Sequence, residues 1–249
     1  METKQQCSLC GQGYVTRHIE LVKRQQIGCE NALVPMYYMV CDTCTSEYVG
    51  NVESKLNKQQ MVAFRTLSAQ QKLRDNMKTI YLDMDDVTAD WVGYVNTALG
   101  ATYLPSQQVH SADWNELRTY HQRMYRDLLP NQSFIPIFRR LVDPQRGGSY
   151  ALAFLTALPH TDAAQWPYAP LDKIRWVDRY LIEMDTKVEI PVFLGPYAHQ
   201  KYLHCKPGDI LIDDRQSNCT EWEAAGGIAH MYKNADDCMT FLKENVRNF

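Results

Sequence analysis

Residues 80–86 are Ile80-Tyr81-Leu82-Asp83-Met84-Asp85-Asp86, a short apolar run followed at once by carboxylates. Residues 209–215 repeat this arrangement as Asp209-Ile210-Leu211-Ile212-Asp213-Asp214-Arg215. Short apolar runs bounded by polar residues are typical of buried β-strands. Side chains alternate along a strand, so Asp83 and Asp85 should point the same way. The sequence therefore predicts two buried strands that both end in acidic residues.

Three more apolar runs, at 151–155, 188–194 and 228–232, alternate with segments of helical periodicity. Alternating strands and helices predict an α/β fold, in which helices cover a parallel sheet on both faces. Asn218 and Asn234 can cap the last two helices, because asparagine is a favoured N-cap residue.

Residues from about 92 to 150 interrupt this alternation. They are rich in Tyr, Arg and Gln and have a helical pattern. An insertion after the first strand would form a cap above the carboxyl ends of the strands, where α/β folds bind ligands.

The two acidic clusters are expected to converge, because the carboxyl ends of parallel strands share one edge of the sheet. Clustered carboxylates repel one another unless a cation or a shared proton lies between them. An oxygen-rich site of this kind suits Mg²⁺, which keeps several waters and binds substrate phosphate. A single cluster is usually a solvated loop, but two strand-end clusters in one chain predict a functional site.

The composition limits the class of protein. The chain has 249 residues, of which 45% are hydrophobic and 22% charged, and this excludes wholesale disorder. Its net charge of -3 excludes a polycation built to coat nucleic acid. No apolar run approaches the roughly 20 residues that span a bilayer, and the polar start METKQQCSLC is unlike a signal peptide. We expect a soluble, cytoplasmic protein of one or two domains with no membrane partner.

Four of the eight cysteines form two C-x-x-C pairs, Cys7 with Cys10 and Cys41 with Cys44, separated by 30 residues. In a reducing compartment such pairs indicate a metal before a disulfide, and four thiolates form a tetrahedral structural Zn²⁺ site. Redox-active or unpaired cysteines are the alternative. The spacing resembles the zinc-binding N-terminal domain of YgiT-type antitoxins. Residues 1–50 are therefore predicted to form a small zinc module.

Residues 51–78 contain no Pro or Gly and carry apolar residues at helical spacing, which predicts a helical linker. The segment has six basic and two acidic residues. The zinc module either docks on the α/β domain or recruits a protein or nucleic-acid partner, helped by this basic helix. A basic helix face is more often simply solvated.

From Thr79 onward the chain resembles the haloacid dehalogenase (HAD) superfamily of phosphotransferases, and within it the 5'(3')-deoxyribonucleotidase family. Leu82–Trp91 is similar to the first motif of that family, Phe154–Pro159 to the second and Ile210–Arg215 to the fourth. The family usually has glycine where this chain has Asp86. The resemblance implies a HAD-like Rossmannoid domain over 79–249, with a helical cap at about 92–150.

The resemblance also implies catalytic roles. Asp83 would be the nucleophile that forms an aspartyl-phosphate, and Asp85 would protonate the leaving oxygen and then activate water. Asp83, Asp85 through its backbone carbonyl, and Asp214 would bind catalytic Mg²⁺. Asp213 would bind nearby or orient its neighbours.

Two further residues would hold the transferring phosphoryl oxygens and offset their charge, namely Thr156 and Lys201. Lys201 is the preferred counterpart of the lysine in the third motif. Lys206 is the alternative, but Lys206-Pro207-Gly208 is typical of a turn.

Aromatic residues would select the substrate. In the resembling family an aromatic side chain at the position of Trp91 stacks on the nucleotide base, and Phe134 with Trp114 could complete the slot. Core packing is the alternative for Phe134 and Trp114. The implied substrates are (deoxy)nucleoside 5'-monophosphates. The alternatives are another phosphomonoester, such as a nucleic-acid end, or a zinc-containing regulator whose HAD-like domain only binds.

Overall fold

The computed structural model describes residues 5–24, 32–72, 77–143, 150–159, 166–186, 190–195, 197–247 and 249. Its N-terminal part contains a small antiparallel sheet of β1 (Val15–Arg24), β2 (Ala32–Cys41) and β3 (Glu47–Tyr48), in that order. Val15 lies opposite Cys41, so the β1–β2 ribbon ends next to a C-x-x-C pair. The long helix α1 (Asn51–Lys72) follows.

The second sheet has five parallel strands. They are β4 (Lys78–Leu82), β5 (Tyr150–Ala157), β6 (Val192–Gly195), β7 (Ile210–Asp213) and β8 (Ile228–Met231). Their order is β6-β5-β4-β7-β8, and β4 pairs with β5 on one side and with β7 on the other. The predicted α/β fold with a parallel sheet is thus confirmed.

The strand order reverses between β4 and β7. The chain runs outward from β4 through β5 to β6, and then crosses back to place β7 on the other side of β4. In doubly wound α/β sheets the ligand crevice lies outside the carboxyl ends of the strands at this switch point. The two strands that the sequence predicted to end in carboxylates are the two that flank it.

The run predicted at 188–194 forms a strand only over β6. Pro191 precedes that strand and has no N–H to give to a ladder, which is consistent with a late start. Residues 188 and 189 of the predicted run lie outside the described ranges.

Both faces of the five-stranded sheet are buried. Ile80 and Leu82 face a core that α6 (Ala169–Glu183) and α8 (Ala235–Asn245) help to build. Tyr81, between them in sequence, faces the other side, which α1 and α7 (Gln216–Ala224) cover. This is the side-chain alternation expected of a strand. Among the described residues, no helix is both long and apolar enough to cross a membrane.

The helix α1 joins the two sheets through side-chain amides. Asn57 bonds the backbone of Tyr37 in β2, accepting from its N–H at 2.7 Å and donating to its carbonyl at 3.0 Å. Gln60 bonds β6 in the same way, at 3.2 Å to the Val192 carbonyl and 3.1 Å from the Leu194 N–H. Gln60 thus bonds backbone groups of β6 that a neighbouring strand would otherwise bond. This matters because unpaired groups on an edge strand favour association with other chains.

The insertion between β4 and β5 is helical over its described part. It contains α2 (Trp91–Leu99), α3 (Ser111–Tyr120), α4 (Met124–Asp127) and α5 (Ile135–Leu141). Arg123 anchors it to α6 through a two-pronged ion pair with the buried Asp172, at 2.6 and 2.7 Å. The cap is therefore fixed to the sheet domain at a second point besides its connections to β4 and β5.

Of the two residues predicted to be helix N-caps, one is confirmed and one is not. Asn234 caps α8 and accepts a hydrogen bond from the Asp237 N–H at 2.9 Å. The prediction for Asn218 is wrong, because α7 begins two residues earlier, at Gln216. The buried Asn218 side chain instead donates to Asp213 at 2.9 Å.

Candidate active site

Three carboxylates meet at the switch point. Asp83 follows β4, Asp213 ends β7, and Asp214 comes next; their ligand oxygens lie within 4.8 Å of one another. All three side chains are buried. Burial, opposed by nearby Lys201, raises the pKa of Asp83 to about 6. Burial and the neighbouring Asp83 carboxylate raise the pKa of Asp214 to about 8. A cation would relieve this crowding of negative charge.

Lys201 enters the cluster from a 3₁₀ helix, Ala198–His204. Its Nζ lies 2.8 Å from Asp83 Oδ1 and 2.7 Å from Asp213 Oδ2. The two carboxylates hold the pKa of Lys201 above its ordinary value, even though burial lowers it. Lys206 lies in the predicted turn, where its backbone N–H donates to Asp209. Of the two candidates, the structure brings Lys201 to the carboxylates.

Asp213 already accepts three hydrogen bonds. Its Oδ2 accepts from Lys201, and its Oδ1 accepts from the Arg215 N–H and from Asn218, both at 2.9 Å. Asp213 therefore orients Lys201. Its neighbour Asp214 receives one side-chain hydrogen bond, from the Ser106 hydroxyl at 3.1 Å.

The remaining donors fit Mg²⁺. Every described hydrogen bond to the Asp83 carboxylate goes to Oδ1, which leaves Oδ2 free. Mg²⁺ is typically held by one or two carboxylates together with waters and substrate phosphate. Asp83 and Asp214 supply two such carboxylates on a cavity of about 640 Å³.

Sequence reasoning missed Lys173, which links two of the predicted residues. Its Nζ lies 2.7 Å from Asp85 Oδ2 and 2.8 Å from Thr156 Oγ1, with the Tyr125 ring 4.3 Å away. Lys173 is fully buried, and burial lowers its pKa. The Asp85 side chain is thus turned toward Lys173, outside the metal-ligand group, and its Oδ1 is buried with no partner in the described chain.

A signal for Lys173 was present in the sequence. It is four residues after Ala169, three before Trp176 and seven before Tyr180, so it lies on the buried stripe of α6. A lysine on an apolar stripe needs a buried partner, because an unpaired buried charge is costly.

For the phosphate release that the sequence resemblance implies, Lys173→Met should lower kcat/KM by about 100-fold, since losing one charge-stabilising donor in a preorganised site costs about this much. The change also leaves Asp85 without its ion-pair partner. Arg175→Ala is the matched control, because Arg175 is exposed on the same helix. Steady-state kinetics on both variants measure this effect. An unchanged kcat/KM in Lys173→Met would exclude a role for Lys173 in the site.

Aromatic side chains line the cavity on the cap side. Trp91 opens α2 and lies against Trp114 of α3, with ring centroids 5.6 Å apart, and both rings face the cavity. The two rings already touch, so a planar ligand would stack on the outside of the pair. Phe134 does not line the cavity: it is fully buried and packs edge-on against Tyr232, at 5.5 Å. Core packing, the alternative for Phe134, is what the structure shows.

The four predicted zinc ligands lie together. The Sγ atoms are 3.9 Å apart for Cys7 and Cys44, and 3.8 Å apart for Cys10 and Cys41. A tetrahedral site with Zn–S bonds of about 2.3 Å needs Sγ atoms about 3.8 Å apart, whereas a disulfide needs about 2.05 Å. All four cysteines are free. The cluster therefore has the dimensions of a structural Zn²⁺ site.

The loops around this cluster direct backbone N–H groups at its sulfur atoms, although burial and the neighbouring thiols still raise the pKa of Cys41 to about 11. The Gly13 N–H points at Cys10 Sγ at 3.5 Å, and the Cys44 N–H points at Cys41 Sγ at 3.4 Å. Hydrogen bonds from Ser46 lower the pKa of Cys44 to about 6. Gly13 has no room for a side chain, because a Cβ there would lie 2.5 Å from Cys41 Sγ.

No protein-family model matches the sequence, and no curated protein is significantly similar to it. One similar solved structure is a HAD family hydrolase from Deinococcus radiodurans R1 with bound phosphate and sodium. It is 12% identical with a TM-score of 0.39, covering 67% of this chain and 89% of that one. Another is described as a beta-phosphoglucomutase from Thermotoga maritima, 16% identical with a TM-score of 0.34, covering 66% of this chain and 91% of that one. Both TM-scores are below 0.5, so the functional argument depends on the strand order and the site geometry.

Proposed function

We propose that the chain is a Mg²⁺-dependent phosphomonoesterase of the HAD type that acts on (deoxy)nucleoside 5'-monophosphates. The supporting observation is the convergence, at the switch point, of a carboxylate nucleophile, a second carboxylate for proton transfer and two buried lysines. A domain that only binds has no need of a buried nucleophile crowded by other carboxylates. Bound Mg²⁺ would be held by Asp83 and Asp214 and would offset the charge of the phosphate.

In the first step the Asp83 carboxylate attacks phosphorus and the bond from phosphorus to the leaving oxygen breaks. Asp85 gives its proton to that oxygen, so the products are the nucleoside and an aspartyl-phosphate. The Asp85 oxygen without a described partner, Oδ1, is the position for this proton. Lys173 holds the other oxygen and so fixes the direction in which Asp85 acts.

In the second step Asp85 accepts a proton from water, and the water oxygen attacks phosphorus. The bond between phosphorus and Asp83 breaks, which releases phosphate and restores Asp83 as a carboxylate and Asp85 in its protonated form. In this proposal Lys201, 2.8 Å from Asp83, and Thr156, which accepts a hydrogen bond from Lys173, would stabilise the charge that develops on the phosphoryl oxygens.

The aromatic wall supports a nucleotide as the substrate. Trp91 and Trp114 share the cavity with the carboxylates, so a ligand whose phosphate reaches Asp83 can extend toward these rings. Stacking of a base on an aromatic side chain contributes about 1–3 kcal/mol. The cavity of about 640 Å³ is within the usual range for small ligands.

Three substrates test the substrate class: a deoxynucleoside 5'-monophosphate, deoxyribose 5-phosphate and a 5'-phosphorylated oligonucleotide. The mononucleotide should give a kcat/KM about tenfold above the base-free sugar phosphate, because a stacked base contributes about 1–3 kcal/mol and a factor of ten corresponds to about 1.4 kcal/mol. Trp91→Ala should abolish that difference and leave hydrolysis of the sugar phosphate unchanged. Preference for the oligonucleotide would indicate nucleic-acid ends as the substrate.

A further inference from the structure

Two carboxylates close the N-terminus of α2, the helix that begins with Trp91. Asp90 is the N-cap and accepts from the Gly93 N–H at 3.0 Å. Asp86 lies in the loop from Asp83 to Asp90, called here the catalytic loop. Its carboxylate accepts from the Val92 N–H at 2.8 Å. The first N–H groups of a helix lack partners within it, and negative charge is favoured there. The Asp86 carboxylate thus ties the catalytic loop to the first turn of the cap.

The backbone of Asp86 has a φ of 57°, in the left-handed region. A residue with a Cβ is disfavoured there, although aspartate and asparagine tolerate it better than most. Glycine would take this conformation without strain. The backbone shape therefore does not require a carboxylate, and the bond to Val92 is what the side chain adds.

Trp91 lies in the chain between the N-cap Asp90 and Val92, whose N–H bonds Asp86. Its own N–H bonds the Ala89 carbonyl at 3.1 Å, and its ring lies on the cavity wall against Trp114. Asp86 lines the same cavity. Trp91 is the first residue of α2. The hydrogen bond that the Val92 N–H donates to Asp86 therefore fixes the backbone that orients the Trp91 ring.

We propose that Asp86 is a positioning residue for base recognition. By holding the Val92 N–H, its carboxylate fixes the first turn of α2 and keeps the Trp91 ring in place for stacking. This inference depends on the proposed function, in which the substrate carries a base. In this role Asp86 acts through the backbone of α2 and not by contact with the base.

Two variants separate the hydrogen bond from the charge. Asp86→Asn keeps an acceptor oxygen and tolerates the left-handed backbone, whereas Asp86→Gly removes the acceptor and relieves the strain. Both remove the negative charge. Asp86→Gly should raise KM for a deoxynucleoside 5'-monophosphate about tenfold, with kcat changed less than about twofold. KM for deoxyribose 5-phosphate should stay unchanged, and Asp86→Asn should behave as wild type on both substrates.

Amide hydrogen exchange at Val92 gives a second readout that needs no turnover. Asp86→Gly should lose protection at this amide, and Asp86→Asn should retain it. The inference is overturned if Asp86→Gly affects both substrates equally, or if Asp86→Asn matches Asp86→Gly. A wild type that hydrolyses the nucleotide, with an Asp86→Gly variant equal to it, contradicts the Asp86 role alone. A wild type inactive on both esters contradicts the proposed function, and the role of Asp86 in base recognition with it.

Discussion

Asp83→Asn yields a folded protein whose phosphate release is lower by about 10⁴-fold or more, the loss expected when a nucleophile is removed. The amide is nearly the same size as the carboxylate, but its oxygen is a poor nucleophile and a weaker metal ligand. Asp83 also lies 2.8 Å from Lys201 and beside Asp213 and Asp214. The proposed nucleophile therefore contacts both the charge-stabilising lysine and the carboxylate cluster.

The matched control for this variant is Asp209→Asn. Asp209 is also buried, but it comes directly before β7, at the amino-terminal edge of the sheet. There it accepts from the Thr79 N–H at 2.8 Å. It should retain kcat, even where the loss of that bond lowers thermal stability. Turnover of Asp83→Asn at the wild-type level would exclude Asp83 as the nucleophile.

Loss of zinc should unfold the N-terminal module and destabilise the α/β domain with it. The module is not an independent appendage: Tyr37 of β2 is buried in the core of the α/β domain, and its hydroxyl donates to the Leu194 carbonyl at 3.5 Å. The same helix α1 bonds Tyr37 through Asn57 and the β6 edge through Gln60. Structural zinc contributes roughly 10–16 kcal/mol to the folding of zinc-finger peptides, so removing a zinc held by the four cysteines should have a large effect.

Cys41→Ser tests the zinc prediction. The wild type should carry one zinc per chain by elemental analysis, and the variant should lose it and melt about 10 °C lower. Cys205→Ala is the control, because Cys205 is a free cysteine outside the cluster. A wild type that is folded without metal, or a Cys41→Ser variant as stable as the control, would contradict a structural zinc site.

The sequence predicts well what is local or repeated. Apolar runs that end in carboxylates gave the two strands at the switch point, because strand ends and parallel order are set by patterns a few residues long. Asp83, Asp214 and Lys201 come together in the structure as those motifs imply. The C-x-x-C pairs are equally local, since two short loops suffice to bring four sulfur atoms within reach of one metal.

The sequence predicts poorly what depends on tertiary burial. Lys173 lies on the apolar stripe of α6, but that stripe does not reveal its partners, and only the fold brings it to Thr156. Phe134 is an aromatic residue in the cap, and only the packing of α5 against Tyr232 shows that it belongs to the core. Gln60 gives no sequence signal for its bond to the β6 edge, because that bond depends on where α1 lies.

The most direct test of the account is phosphate release from a deoxynucleoside 5'-monophosphate by the zinc-loaded protein, with and without Mg²⁺. We expect release that requires Mg²⁺ and that Asp83→Asn abolishes. Release that does not depend on the metal, or its absence from every mononucleotide in a folded and zinc-loaded protein, would contradict a Mg²⁺-dependent nucleotidase at this site.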